Sequence, residues 1–165
     1  MNKVYTTILA LILSLSTFQS QLIASAPAAG DIPPLPPVYP KIKGVIDLSG
    51  KNLDDAGITE QAAKWPGDIT GLILSRNNIG DEGLKAIVNR LRDNPINTLK
   101  ILDLSNNKIG NQGVIALANH LAQNLSPNLT DINLGSNVDI GPEGKAALTG
   151  AGFVNLADNV WTRKK

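Results

Sequence analysis

The chain has 165 residues, enough for one domain with short additional segments, and its 42% apolar and 18% charged residues are typical of a globular protein. The formal net charge of +1 disfavours a nucleic-acid-binding protein, because such proteins need a basic surface that displaces counterions from phosphates. The absence of cysteine excludes disulfides, thiolate metal sites and a cysteine nucleophile.

The first 28 residues are typical of a secretory signal peptide. Lys3 supplies a positive start, residues 8–13 form an apolar run, and small residues follow at Ala24–Ala28. An uncleaved membrane anchor is the alternative, but a membrane span takes about 20 mostly apolar residues, and polar residues interrupt this run from Ser14 onward. The pattern predicts a cleaved signal peptide over residues 1–28, no membrane span after cleavage, and a secreted or periplasmic protein.

A proline-rich stretch follows the predicted signal peptide. Proline lacks a backbone donor and favours the extended polyproline conformation. The segment Pro33–Pro36 has the PxxP pattern of a peptide ligand, but no basic residue lies close enough to orient such a ligand. We therefore interpret residues 29–41 as a stiff linker to the following domain.

From residue 42 onward the sequence repeats a pattern of aliphatic residues and asparagine. The segment that begins at Leu74 matches the one that begins at Leu104, 30 residues later, and the same spacing leads to Leu134. A spacing of 26 residues leads back to Leu48. The segment 154–161 repeats only the first half of the unit, so the sequence predicts four repeats and one terminal strand.

Each unit combines two periodicities. Alternating residues such as Leu72 and Leu74 predict a short strand with one face inward. The aliphatic residues that follow have helical spacing; in the second unit they are Leu84, Ile87, Val88 and Leu91. Because neither element can bury its apolar face alone, successive units must stack. We predict an α/β domain over residues 42–162 and a basic tail at residues 163–165.

The motif Leu72-x-Leu74-x-x-Asn77-x-Ile79-Gly-Asp-Glu-Gly83, with its 30-residue spacing, resembles the ribonuclease-inhibitor-like class of leucine-rich repeats. The resemblance covers about residues 42–161. It implies a leucine-rich-repeat solenoid in the form of a short right-handed βα horseshoe arc, with parallel strands on the concave face and helices on the convex face. Members of this class mostly bind proteins, so the resemblance also implies a protein partner. Four repeats form only a shallow arc, and a deeply wrapped partner is not expected.

Asparagine recurs at the turn after each predicted strand. The column consists of Asn77, Asn107, Asn137 and Asn159, with Lys51 in the first unit. We predict that these amides satisfy backbone groups that neither strand nor helix can reach, so that losing one would cost about 1–3 kcal/mol.

The predicted concave face carries the candidate binding residues. It is mostly polar, and Ile73 and Arg76 are the candidate anchors, since arginine is common at binding hot spots. The candidate residues are Asp47, Ile73, Arg76, Lys100, Asp103, Asn106, Asn133, Ser136, Asn155 and Asp158. The convex face and the ends of the repeat array remain alternative binding surfaces, and Trp65 and Trp161 are predicted to cover the ends.

The sequence offers few groups for catalysis. His120 is the one histidine, and its position opposite Leu117 and Leu121 predicts a solvated side chain on the convex face. Without a second histidine or a cysteine, neither a catalytic triad nor a His/Cys metal site can be assembled. Gly80–Gly83 lacks the lysine of a phosphate-binding loop and recurs as a strand-to-helix turn. We predict no catalytic residue, cofactor or metal, and no enzyme activity.

These observations favour an exported, non-catalytic protein-binding module that engages its partner through the concave face. The partner would be a host protein if the chain came from a pathogen. A monomer is the expected state. The alternative is a structural or self-associating envelope component that uses the solenoid ends.

Overall fold

A computed structural model describes residues 44–137 and 140–164, which lie within one compact unit, Lys41–Lys165. The predicted signal peptide at 1–28 and linker at 29–41 lie outside these ranges. Within the described ranges, every helix is too short or too polar to cross a membrane.

Strands and helices alternate through the repeats, and two strands close the chain. The elements are β1 (Val45–Asp47), α1 (Asp55–Ala62), β2 (Gly71–Ile73), α2 (Asp81–Asp93), β3 (Ile101–Asp103), α3 (Asn111–Ala122), β4 (Asp131–Asn133), α4 (Pro142–Gly150), β5 (Phe153–Ala157) and β6 (Val160–Arg163). The order of strands in the sheet is β1-β2-β3-β4-β6-β5. This alternation confirms the predicted α/β class.

The first four strands are parallel and pair without a shift in register. One row across the sheet consists of Ile46, Leu72, Leu102 and Ile132. The next inward positions, Leu74, Leu104 and Leu134, are all 0% exposed and belong to the same core cluster. Burial of each such side chain contributes about 1.5–3 kcal/mol. The predicted stack of aliphatic rows is therefore confirmed.

The helices bury the faces that the sequence predicts. In α2, Leu84, Ile87, Val88 and Leu91 are buried, and each helix packs against the next one along the chain. The helices lie on one side of the sheet, because the strand residues that face them are those of the aliphatic core. The other side, which we call the open sheet face, carries the alternate residues of each strand.

A side chain from one repeat caps the helix of the next. The Asp55 carboxylate accepts a hydrogen bond from Gly80 N at 2.6 Å. Asp81 accepts from Gly110 N and Gly113 N, at 2.7 and 2.9 Å. Asn111 continues the series by accepting from Gly141 N and Gly144 N, at 2.9 and 3.1 Å. Each bond satisfies an N–H at a helix start that has no partner within its own helix.

The same position in the fourth repeat is Pro142, the first residue of α4. Its side chain has no acceptor atom. The series of caps between repeats therefore ends where the helices end.

The prediction of a single terminal strand is wrong. The last segment forms an antiparallel hairpin, in which β6 pairs with β4 and β5 takes the edge of the sheet. Val154 and Leu156, which were expected to face inward, are 37% and 54% exposed. Trp161 instead pairs with Ile132 and is 1% exposed. The reason is burial: an indole at the end of the row removes more apolar area from water than a valine would.

Arg163 belongs to the domain rather than to a basic tail. It is the last residue of β6, and its Nε donates to Leu129 O at 2.9 Å. Its guanidinium lies 4.9 Å from the centre of the Phe153 ring, close enough for a cation–π contact. These contacts hold the hairpin against the fourth repeat.

The two ends of the array differ in how they are covered. Trp161 closes the last aliphatic row, whereas Trp65, 6% exposed, lies within the core. At the first repeat, Ile46, Leu48 and Leu53 are only half-buried by the residues described.

Candidate functional site

The turn after each strand has the same backbone conformation in all four repeats. The residues at this position are Gly50, Arg76, Asn106 and Ser136; the first three have φ of 62°, 57° and 55°, and Ser136 also has 55°. Each of the first three N–H groups donates across to the next repeat, as Arg76 N does to Ser105 O at 2.9 Å. This left-handed column stacks in register along one edge of the open sheet face.

Asparagine side chains bridge the repeats directly behind this column. Asn107 is 6% exposed, and its Nδ2 donates to Leu74 O and Leu104 O, both at 3.0 Å, and to Ser105 O at 3.2 Å. Its Oδ1 accepts from Ile79 N at 3.1 Å. Asn77 and Asn137 make equivalent bonds in their own repeats; their contacts are with Leu48, Lys51, Leu53, Leu74 and Ser75 for Asn77, and with Leu104, Ile109 and Leu134 for Asn137.

Asn159 does not belong to this column, contrary to the prediction. It lies in the turn between β5 and β6, with φ of 63°, and its buried Oδ1 has no hydrogen-bond partner among the described residues. Because the chain reverses here instead of starting another repeat, no neighbouring turn offers the amide its usual contacts.

One row of the open sheet face joins five strands. Strand pairing places Asp47, Ile73, Asp103, Asn133 and Val160 side by side. The first four are candidate residues from the sequence, and the fifth was not predicted. Val160 takes this position because β6, not β5, pairs with β4.

The polar members of this row are engaged in local hydrogen bonds. Asp103 accepts from Ser105 N at 2.9 Å, and Asn133 accepts from Gly135 N at 3.0 Å. Asp47 accepts from both the N–H and the hydroxyl of Ser49, at 2.9 and 2.6 Å. Each side chain thereby fixes the N–H two residues ahead. The sequence signal for this role is an Asp or Asn two residues before a Ser or Gly, and Ile73 is the member of the row that lacks it.

A family model described as "Leucine Rich repeat" matches residues 69–88, 91–118 and 125–148. These segments are leucine-rich repeats. No curated protein matches the chain. Leucine-rich-repeat domains generally mediate binding between proteins, so the surface that the repeats leave open is the first place to examine for a partner.

The leucine-rich repeats bring eight of the ten candidate residues to the open sheet face or its edges. Arg76, Asn106 and Ser136 are on the left-handed column, and Lys100 directly precedes β3, where its carbonyl accepts from Thr130 N at 2.9 Å. The other members of the eight are Asp47, Ile73, Asp103 and Asn133.

Asn155 and Asp158 are wrongly assigned to this face. Asn155 pairs with Trp161, which in turn pairs with Ile132, so Asn155 is on the helix side of the sheet. Asp158 lies in the hairpin turn, with φ of 45°. Val154 and Leu156 occupy the open face of β5 instead, because side chains alternate along a strand.

Asp103 is a buried carboxyl group on this face. It is 4% exposed, and burial raises its pKa. Hydrogen bonds from Ser105 and then Asn133 lower the pKa, while the negative charge of Asp47 raises it further. Within the described residues, no three acidic or histidine side chains are grouped so that they could hold a metal ion.

His120 is buried, so the prediction of a solvated side chain is wrong. It is 3% exposed, and its Nε2 lies 2.8 Å from Ser126 Oγ. Ser126 belongs to the segment that follows α3, and it packs against the ring. Burial lowers the pKa of His120, and the charge of Arg92 lowers it further. Nδ1 has no hydrogen-bond partner among the residues described.

The lowered pKa of His120 predicts a loss of stability in mild acid. The unfolded chain takes up a proton near the ordinary value of 6.5, whereas the folded chain resists protonation until lower pH. The contribution of His120 to stability is therefore complete above 6.5 and is lost as the pH falls through the folded value. We expect the free energy of unfolding, measured by denaturant titration, to fall between pH 6.5 and about 5.

His120→Gln is the matched variant, because its amide can still bond to Ser126 but does not titrate. The pH dependence should be shallower in this variant than in the wild type. Equal slopes would show that His120 does not carry the effect.

Proposed function

We propose that this chain is an exported, non-catalytic protein-binding module, and that its partner docks on the open sheet face. We further propose that its repeats form a short right-handed solenoid arc of the ribonuclease-inhibitor-like class, with the open sheet face concave. Parallel strands in register, helices on one side and a 30-residue spacing support this geometry. The general role of leucine-rich repeats in protein binding supports the function.

The observation that carries the proposal is that the second repeat departs from its neighbours at two adjacent positions. Arg76 has left-handed φ, a conformation that costs most residues about 1–2 kcal/mol. Gly50 and Asn106, which tolerate it well, occupy the same position in the neighbouring repeats. Backbone strain of this kind is concentrated at functional sites.

Ile73 is the second departure. The row that contains it has Asp47, Asp103 and Asn133 in the other repeats, and each of these caps an N–H two residues ahead. An isoleucine cannot accept such a bond. Both departures cost local stability, and together they put an apolar side chain and an exposed arginine side by side. An apolar group next to an arginine is suited to the centre of a protein interface.

Export is the other part of the proposal, and it rests on the signal-peptide pattern of residues 1–28. We propose a secreted or periplasmic location, and no enzyme activity, since the sequence supplies neither a triad nor a nucleophile with a base. Expression of the full-length chain with a C-terminal tag tests this part. The processed chain should be recovered outside the cytoplasm, and its retention inside the cell would contradict export.

The docking face is tested with the double variant Ile73→Asn/Arg76→Gly. Asparagine and glycine are the residues of the fourth and first repeats at these positions, so the fold should tolerate both. We expect pulldown with the exported protein to lose its specific partner, with at least a tenfold rise in Kd, because one hot-spot residue alone contributes about 2 kcal/mol or more. Thermal unfolding should be unchanged or shifted upward.

Arg92→Ala is the matched control. It also removes one cation, but from the exposed side of α2, and alanine stands at the equivalent position 30 residues later. The control should bind like the wild type. A partner that survives the double variant does not dock on the open sheet face, whereas loss of binding in the control as well would indicate a general charge effect.

A further inference from the structure

We propose that β5 is a self-pairing edge, which joins antiparallel to β5 of a second copy of this chain with Asn155 on the two-fold axis. The result would be a symmetric dimer with one continuous sheet. This inference is independent of the binding face on the second repeat. It departs from the monomer expected from the sequence, which assumed that Val154 and Leu156 are buried.

The backbone of β5 has one free edge. β5 ends the sheet and pairs on one side only, with β6. Lys164 N donates to Gly152 O at 2.9 Å, so the pair of residues 152 and 164 is hydrogen-bonded. Hydrogen-bonded and non-hydrogen-bonded pairs alternate in an antiparallel ladder. The N–H and C=O groups of Phe153 and Asn155 therefore point away from β6, toward the free edge.

The same strand carries the exposed apolar surface of the described residues. Their large apolar side chains that are exposed are Val154, at 37%, and Leu156, at 54%. Both lie on the open sheet face of β5, since Val154 pairs with Thr162 and Thr162 with Asp131.

Edge strands in soluble proteins are usually protected by charged residues, proline or short length. At the opposite edge, β1 is three residues long and carries Asp47. β5 has five residues, the sequence Phe-Val-Asn-Leu-Ala, and neither charge nor proline. Of the two edges, the C-terminal one is the edge suited to strand addition.

The sequence of β5 is complementary to itself. With the two-fold axis at Asn155, Val154 lies opposite Leu156 of the second copy, and Leu156 lies opposite its Val154. Cross-strand aliphatic pairs stabilise a sheet by about 0.2–1 kcal/mol each. The two Asn155 residues face each other and exchange both main-chain hydrogen bonds, because their N–H and C=O groups point to the free edge. No charged side chain of one strand meets a like charge, which favours a second copy as the occupant.

Single cysteines test this register, because the natural chain has none. In a hydrogen-bonded antiparallel pair the Cα atoms are about 5.5 Å apart, within the range of a disulfide. Under mild oxidation, full-length Asn155→Cys should give a disulfide-linked dimer on a non-reducing gel. Val154→Cys is the matched control: the two Val154 residues are diagonal neighbours about 7–8 Å apart, and this variant should stay largely monomeric.

Sedimentation of the full-length wild type measures the association itself. We expect a reversible shift from monomer to dimer as the concentration rises, because a short strand pair forms a small interface. Leu156→Lys should raise the dissociation constant at least tenfold, since the charge would have to be buried against Val154 of the second copy. Gln112→Lys, an exposed position on α3, should leave it unchanged.

A wild type that remains monomeric at all concentrations would overturn the proposal. So would equal cross-linking of the two cysteine variants, or a dimer that is insensitive to Leu156→Lys. Leu156 is half exposed, so this substitution leaves the core intact, and the thermal unfolding curve of the variant checks that the fold is retained.

Discussion

Asn107→Ala is expected to lower the free energy of unfolding by about 3 kcal/mol, because the amide connects the second and third repeats where water cannot replace it. Ile79 N, which donates to Asn107 Oδ1, loses its partner within the buried turn. Leu74 O and Leu104 O each keep one amide donor, from Asn77 and Asn137 respectively. The cost therefore comes from one orphaned N–H, two weakened carbonyls and the space that the side chain leaves.

Denaturant titration measures this loss, and two variants identify its cause. Asn107→Asp retains an acceptor for Ile79 N but directs a second oxygen toward Leu74 O and Leu104 O, so it should be at least as unstable as Asn107→Ala at neutral pH. Asn119→Ala, at an exposed position on α3, should change stability by less than about 0.5 kcal/mol. If Asn107→Asp proved as stable as the wild type, the donated hydrogen bonds would not be the cause.

The amide column could be predicted from the sequence because repeats constrain one another. A residue type that recurs every 30 positions at the end of a strand must occupy the same environment in each unit, and Asn77, Asn107 and Asn137 do. The same reasoning located the buried rows of Leu74, Leu104 and Leu134. Periodicity thus predicts the contacts that each repeat makes with the next.

The features that the sequence did not predict lie where periodicity stops. After α4 there is no further helix, and the chain could add either one parallel strand or a hairpin. The choice depends on the burial of Trp161 and Phe153, which no earlier repeat contains at those positions. Asn159 matched the spacing of the amide column by coincidence.

Single side chains within a repeat were also beyond periodicity. His120 is buried because Ser126 packs against it, and a helical projection of α3 contains no information about the segment that follows. In the candidate site, the positions of Asp47, Asp103 and Asn133 were predictable, but their hydrogen bonds to the turn were not considered. For that reason Ile73 and Arg76, which depart from the pattern, are stronger binding candidates than the polar residues that follow it.

The acidic residues at the helix starts have a different role from the one that sequence suggests. An acidic residue in the first turn favours its own helix dipole, and Asp81 occupies such a position in α2. Its carboxylate also accepts two N–H groups at the start of α3 in the next repeat. This contact requires the two helix starts to lie close together, which is possible because the closely approached positions are glycines.

Gly83→Ala is therefore expected to destabilise the fold by about 3 kcal/mol. A Cβ atom at residue 83 would lie 2.5 Å from Asp55 Oδ1, 2.8 Å from Ile79 Cγ2 and 3.0 Å from Ile58 Cγ2. The carboxylate cannot move aside without losing its 2.6 Å bond from Gly80 N. The two isoleucines are 0% exposed and have no free space to enter.

Gly150→Ala is the matched control for this substitution. Residue 150 ends α4, and a Cβ atom there would have no neighbour within 4 Å. Alanine should stabilise the helix by up to about 1 kcal/mol, so the two variants should shift the denaturation midpoint in opposite directions. If they shifted it equally, the loss would reflect backbone entropy or helix propensity alone, and the close approach of neighbouring helix starts would not limit the stability of the array.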